Sequence, residues 1–137
     1  MSEFKLEILT PKMQFYSGAA ESVTVTLSDG EMTILAHHAP MLAALSAGYV
    51  RIRTSEGIRA AFSSEGFIEI RPDEVLIFTQ VCEWPEDIDA NRAEEEREAA
   101  LEALRQKQSM IEYKQTKLAL SRAMARLRVK GTGKLNL

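Results

Sequence analysis

Cysteine is nearly absent from this 137-residue sequence, which carries one, Cys82. A single thiol excludes an internal disulfide framework and a cysteine zinc site. Between Val81 and Glu83, in a strand-like run, it reads as a small apolar filler. Long hydrophobic runs are also missing, so no segment approaches the length of a membrane span. The N-terminus lacks the basic and apolar regions of a signal peptide. The chain is therefore expected to be made and kept in the cytoplasm, with no direct membrane insertion. No Walker-type glycine loop is present, so any nucleotide would be bound without the usual hydrolytic machinery. No proline follows Pro85.

What is present divides the chain near Trp84-Pro85 into residues 1–84 and 85–137. Up to about residue 83 the apolar residues alternate. Phe4, Leu6 and Ile8 are separated by Lys5 and Glu7, and Val23, Val25 and Leu27 by Thr24 and Thr26. Tyr49 to Arg53 and Phe67 to Ile70 repeat the pattern, and Val75-Leu76-Ile77-Phe78 reads as a more deeply buried strand. Turns fall at Ser28-Asp29-Gly30, Ser55-Glu56-Gly57 and Arg71-Pro72-Asp73. Short strands at roughly ten-residue spacing predict an antiparallel β-sandwich or barrel.

Beyond Pro85, Ala, Glu, Leu, Arg, Gln and Lys dominate, which predicts helix from Ala90 to Arg128. Asp87 or Asp89 can cap its start, and the glutamates Glu94, Glu95 and Glu96 suit its positive end. Ala93, Ala100, Leu101 and Leu104 form a narrow apolar stripe, and Lys107-Gln108-Ser109 is the expected point of reversal. The second helix would place Ile111, Leu118 and Ala125 on one seam, Tyr113, Leu120 and Leu127 on the next, and end at Gly131-Thr132-Gly133. The result is an antiparallel two-helix hairpin. Alone it would be marginal, because backbone entropy of about 1–2 kcal/mol per residue offsets most of what its few Leu and Ile side chains gain.

Charge is unevenly spread behind a net of −3. Residues 1–85 hold 6 basic and 11 acidic groups, residues 86–108 hold 4 and 8, and residues 109–137 hold 7 and 1. An acidic helix followed by a basic one favours antiparallel pairing and an acidic or phosphate partner for the second. Nucleic acid is disfavoured, since the basic stretch lacks interleaved aromatics.

Candidate sites follow from these patterns. Asp89 and Arg92 stand three apart at a helix start, beside backbone N–H groups that lack intrahelical partners. Arg122 and Arg126 stand one turn apart on a second helix. In a hairpin the three arginines could converge on a polyphosphate; the competing reading is a salt-bridged, solvated helix pair. His37 and His38, with Glu31 nearby, could suggest a metal. Adjacent histidines on extended chain point to opposite sides, which favours a loop or interface role before Pro40. Ser-His-Asp catalysis has the residue types but no nucleophile-elbow sequence.

Four motifs in register resemble the epsilon-subunit family of bacterial F-type ATP synthases, over nearly the whole length. Phe4-Lys5-Leu6-Glu7-Ile8-Leu9-Thr10-Pro11 resembles the opening strand. Gly30-Glu31-Met32-Thr33-Ile34-Leu35, followed by His38-Ala39-Pro40-Met41-Leu42, resembles the most recognisable signature. Gly66-Phe67-Ile68-Glu69-Ile70 with Pro72-Asp73, and then Glu86-Asp87-Ile88-Asp89 with Arg92-Ala93, resemble the middle of the pattern. Ser121-Arg122-Ala123-Met124-Ala125-Arg126-Leu127 resembles the closing helix.

The resemblance implies a ten-stranded sandwich and a helical hairpin in the central stalk of a proton-translocating synthase, peripheral on the cytoplasmic face of the cell membrane. It implies a subunit that does no chemistry itself. The sandwich would contact the gamma subunit and the ring of c subunits, partly through Glu31 and His38. Extended, the hairpin would reach the alpha and beta subunits and impede ATP hydrolysis, with Arg122, Arg126 and Arg128 meeting acidic surface. Compact, it binds ATP in some members, with or without Mg2+. The matching positions are Glu83, Ile88, Asp89, Arg92, Ala93, Arg122 and Arg126. A free-standing ATP-sensing adaptor and a small hydrolase using Glu31 and His38 are the alternatives. Three positions depart from the family pattern. Ala99 stands where ATP-binding members can carry another arginine, with Arg97 nearby, and His37 and Glu65 each stand where glycine is common.

Overall fold

Phe4, Leu6 and Ile8 all turn inward, and the rest of the period-two pattern behaves the same way. The computed structural model describes residues 2–106 and 108–132. Within them the strands are β1 (Phe4–Leu9), β2 (Gln14–Ala20), β3 (Ser22–Leu27), β4 (Gly30–Leu35) and β5 (Met41–Leu45). Then come β6 (Gly48–Thr54), β7 (Gly57–Ser63), β8 (Gly66–Ile70), β9 (Glu74–Thr79) and β10 (Cys82–Glu83). A 3-10 turn, Pro85–Asp87, leads into helices α1 (Ala90–Leu104) and α2 (Met110–Thr132).

The strands form two five-stranded sheets, in the orders β2-β1-β9-β8-β5 and β10-β7-β6-β3-β4. Between them lies one apolar core that includes Leu6, Ile8, Val23, Val25, Ile34, Ile52, Ile68 and Ile77. The sandwich is antiparallel in every ladder but one. β1 and β9 run parallel, with Leu6 opposite Val75 and Ile8 opposite Ile77. No hairpin joins these two strands, so their direction is free. The slightly weaker parallel ladder is offset by four buried aliphatic side chains on the core face. Gly66 opens β8 where a Cβ would collide with the Phe78 carbonyl oxygen, so the close approach of β8 to β9 requires glycine.

A second, smaller core joins the hairpin to the sandwich. Phe62 on the outer face of β7 packs with Ile88, Ala125 and Val129, and Tyr49 lies against them. α2 reaches β6, β7 and the 3-10 turn, while α1 packs on α2. Asp89, rather than Asp87, caps α1: its Oδ1 accepts the Arg92 N–H at 3.1 Å. Ser109 caps α2, its hydroxyl accepting the Glu112 N–H at 3.2 Å and donating to Glu112 Oε1 at 3.0 Å. The chain reverses between Leu104 and Met110; Lys107, in the expected reversal, lies outside the described residues. α2 continues through Gly131 to Thr132, and Gly133 also lies outside them.

The expected apolar seams of α2 need correction. Ile111 is 70% exposed, and Leu118 and Tyr113 are also exposed, whereas Ala123, Ala125 and Val129 are buried. The surface above Phe62 and Tyr49 admits small side chains, and α1 offers its partner alanines, Ala93 and Ala100, rather than an apolar groove. Burial is therefore concentrated in the second half of α2.

Candidate functional site

The second half of α2 carries three cations spaced four residues apart, two held by the sandwich and one by the 3-10 turn that leaves it. Arg122 pairs with Glu65, between β7 and β8. Arg126 Nε donates to Glu83 on β10 at 2.8 Å. Lys130 Nζ donates to the Pro85 carbonyl oxygen at 2.8 Å. The Arg126 guanidinium also sits 4.4 Å from the centre of the Phe62 ring, a cation–π contact, and 3.9 Å from Glu96 on α1. Its side chain is only 19% exposed. Arg126 therefore joins the sandwich, the first helix and the second.

Beside Arg126 is a cavity of about 410 Å3, lined by Val81, Glu83, Asp87, Asp89, Arg92, Ala93, Glu96 and Arg126. The chain places it at the start of α1 because the 3-10 turn swings Asp87 and the Asp89 cap past β10. Five of the residues named from the sequence thus meet on one wall: Glu83, Asp89, Arg92, Ala93 and Arg126. Ile88 belongs to the same segment, but its side chain is buried in the second core with Phe62. Arg122 is not on the wall; its guanidinium is held by Glu65. Arg97 does not stand in for the arginine missing at Ala99. It pairs with Glu94, and with Glu98 at 3.4 Å.

Electrostatically the wall has four carboxylates and two guanidiniums. Each guanidinium already has an acidic partner, Arg92 on Glu96 at 3.1 Å and Arg126 on Glu83. An anionic ligand must exchange those partners for its own oxygens. Of the first-turn N–H groups of α1, that of Arg92 is taken by the Asp89 cap and that of Ala93 by the Asp89 carbonyl oxygen, which leaves those of Ala90 and Asn91 as donors without intrahelical acceptors. From the sequence, Asp87 and Glu96 stood out only as helix-start acids, Glu65 only as a residue in a glycine position and Pro85 only as the boundary between the halves, none of them as part of this wall or as a partner of α2. The four-residue spacing of Arg122, Arg126 and Lys130 was the signal that could have extended the pair to a stripe.

Glu31 and His38 lie apart from this cavity. Glu31 is exposed on β4, and His38 Nδ1–H donates to the Ala39 carbonyl oxygen at 2.8 Å in the turn that carries the chain between sheets. Leu35, Met41 and the 70%-exposed Leu42 surround that turn with apolar surface. Among the described residues, no three His, Cys, Asp or Glu side chains are placed to hold a metal. Burial pushes the Cys82 thiol up to about 12, which leaves it protonated at neutral pH and a poor nucleophile. No helix of the described residues is long and apolar enough to cross a membrane.

A ten-stranded sandwich followed by two helices is the architecture of a non-catalytic subunit of the ATP synthase complex. Residues 3–85 match the beta-sandwich domain of the ATP synthase delta/epsilon chain, and residues 86–131 match its long alpha-helix domain. The chain belongs to the ATP synthase epsilon chain family. The epsilon chain of Ruminiclostridium cellulolyticum is 49% identical over 127 residues, covering 93% of this chain and 95% of the relative. That of Caldanaerobacter subterraneus subsp. tengcongensis is 42% identical, covering 92% of each. The fold recurs in the Euglena gracilis mitochondrial ATP synthase at a TM-score of 0.80 and 20% identity, covering 98% of this chain and 82% of that one. It recurs again in the central stalk and c-ring of the Tetrahymena thermophila enzyme, at 0.73 and 12% identity, covering 94% and 97%.

Proposed function

We propose that this chain is a central-stalk subunit whose sandwich seats on the gamma subunit and the c-ring, and whose hairpin regulates ATP hydrolysis by binding ATP when compact. The seat is supported by the exposed apolar surface of Leu35, Met41 and Leu42 around the Glu31 and His38 turn. It is also supported by the stalk and c-ring assemblies in which the fold recurs. In this reading the subunit lies at the membrane periphery, on the cytoplasmic face, in a synthase that moves protons.

The nucleotide reading is carried by one observation: the cavity gathers Glu83, Asp89, Arg92, Ala93 and Arg126 from β10, α1 and α2. Its volume lies within the range of small-ligand sites. A ligand there touches the sandwich and both helices, so it binds the compact hairpin and not the extended one. Arg92 and Arg126 are the phosphate partners, and Arg122 joins them only after leaving Glu65. ATP enters as the free nucleotide or with Mg2+, as a regulatory ligand rather than a substrate. Its loss releases the hairpin and presents Arg122, Arg126 and Arg128 to acidic surface on the alpha and beta subunits.

Arg92→Ala tests the site cleanly, because Arg92 is 78% exposed and has Glu96 as its side-chain ion-pair partner. Losing a charge-assisted contact of about 1.5–3 kcal/mol should weaken ATP binding roughly tenfold to 150-fold in calorimetry. The thermal stability of the ligand-free protein should be unchanged. Wild-type affinity in the variant would remove Arg92 from the site, and no saturation of the wild type at millimolar ATP would sink the nucleotide reading.

A further inference from the structure

One end of the outer face of the second sheet holds a different arrangement, which shares no residue with the cavity at α1. The strand register builds it. Thr33, Thr24 and Arg51 stand opposite one another across β4, β3 and β6, and Leu35, Ser22 and Arg53 form the next row. Beyond Arg51 and Arg53, β7 contributes Ala60 and Ile58. Small side chains flank two long ones, and a cavity of about 160 Å3 results, lined by Ser22, Thr24, Thr33, Arg51, Arg53 and Ile58. At about 30 Å3 per water this is room for roughly five waters, or for one tetrahedral oxyanion with part of its hydration.

The two arginines here differ from most others among the described residues. Seven other arginines, Arg59 and Arg126 among them, pair with a carboxylate. Among the described residues Arg51 and Arg53 have no such pair, although they are two apart on one strand and on the same face. Arg51 instead lies over the Tyr49 ring, 5.5 Å from its centre. Like charges this close repel, and a surface built only for solubility would mix the signs. Donors are also left over beneath them. The Thr24 and Thr33 hydroxyls lie 2.9 Å apart, so one donates to the other and a second hydroxyl hydrogen remains. The Ser22 hydroxyl stands at the same floor, directly opposite Arg53.

We propose that this cavity is an oxyanion site that takes inorganic phosphate, or a phosphoryl group of that size. Arg51 and Arg53 supply two fork-shaped donors and most of the attraction. Ser22 and the Thr24–Thr33 pair supply neutral donors from the floor, and Ile58 closes one side. On a subunit of an enzyme that makes and splits ATP, such a site registers the anion that accompanies ADP, separately from the nucleotide. It stands on the register and the unpaired arginines alone, whatever the fate of the cavity at α1.

The test is a titration of the full chain with sodium phosphate at constant ionic strength, following the arginine side-chain N–H resonances by NMR. Arg51 and Arg53 should shift together and saturate. Arg53→Gln, at an exposed position, should weaken binding at least tenfold with the fold unchanged, and Ser22→Ala by a smaller factor. A second arm titrates ATP into Arg92→Ala. Saturation of the same two resonances below the phosphate midpoint would make a nucleotide phosphoryl group the occupant, and their silence would make it free phosphate. A response that is linear in phosphate, or that is the same with chloride, or that survives intact in Arg53→Gln, would overturn the site.

Discussion

His37 has a φ of 67°, the left-handed region that favours glycine, and it stands where the family resemblance leads one to expect glycine. A side chain there costs roughly 1–2 kcal/mol, and glycine would give back about 0.5–1 kcal/mol of that through its freer unfolded chain. The imidazole is exposed, so little contact is lost with it. His37→Gly should therefore stabilise the protein by about 0.5–1 kcal/mol, a gain of a few degrees in the thermal midpoint. A fall in the midpoint would mean that the His37 ring makes contacts worth more than the strain. Glu65 is the opposite case. Its φ is not positive, so the strain expected of a residue in a glycine position is absent, and its carboxylate is used to hold Arg122. Sequence alone could flag both substitutions but could not assign them, because backbone conformation and a partner 57 residues away are properties of the folded chain.

Period two is a local signal, and it sufficed for the strands that show it, such as β1, β3, β6 and β8. β2, with Gly18 and two alanines, and β7, with buried Ala60, Ala61 and Phe62 in succession, carry no such alternation. They are strands because their neighbours pair with them. The parallel β1–β9 ladder was equally illegible, since no connection between those strands limits their direction. At the hairpin, Asp89 and Arg92 were readable from the sequence and do line a cavity, but the docking face of α2 was not readable. Ile111 and Leu118 are exposed and Leu120 and Leu127 only half-buried, and the contact is made by Ala125 and Val129 against Phe62 and Ile88. That contact gives a prediction for the element. Ile88 is 4% exposed, and truncating a buried isoleucine costs roughly 2–5 kcal/mol. Because Ile88 belongs to the second core and not the first, Ile88→Ala should loosen the hairpin and leave the sandwich intact. Hydrogen exchange should accelerate in α1 and α2 while β1, β8 and β9 stay protected. Uniform acceleration would mean that the two cores unfold as one unit.

For the whole molecule the question is what holds the hairpin down without a ligand. Arg122 on Glu65, Arg126 on Glu83 and Lys130 on the Pro85 carbonyl tie one side of α2 to three separate points. Partly exposed ion pairs such as Arg122–Glu65 contribute up to about 1 kcal/mol each. They are enough to bias a balanced equilibrium and too weak to lock it. A ligand at about 100 times its dissociation constant contributes roughly 2.7 kcal/mol, so in the proposed switch it outweighs any one tether. Glu65→Gln separates the two effects. Without ATP the variant should populate the extended hairpin up to about fivefold more than the wild type, because one tether of up to about 1 kcal/mol is gone. With saturating ATP it should close as completely as the wild type. Arg122, released from Glu65, is then available to the phosphates, so the ATP concentration at half closure should not rise by more than the apo shift requires. Energy transfer between a dye on α2 and one on the sandwich, in a Cys82→Ala background, reads both states. An unchanged apo population would show that Glu65 is no tether. A variant that ATP no longer closes would show that the Glu65–Arg122 pair is part of the bound state and not its competitor.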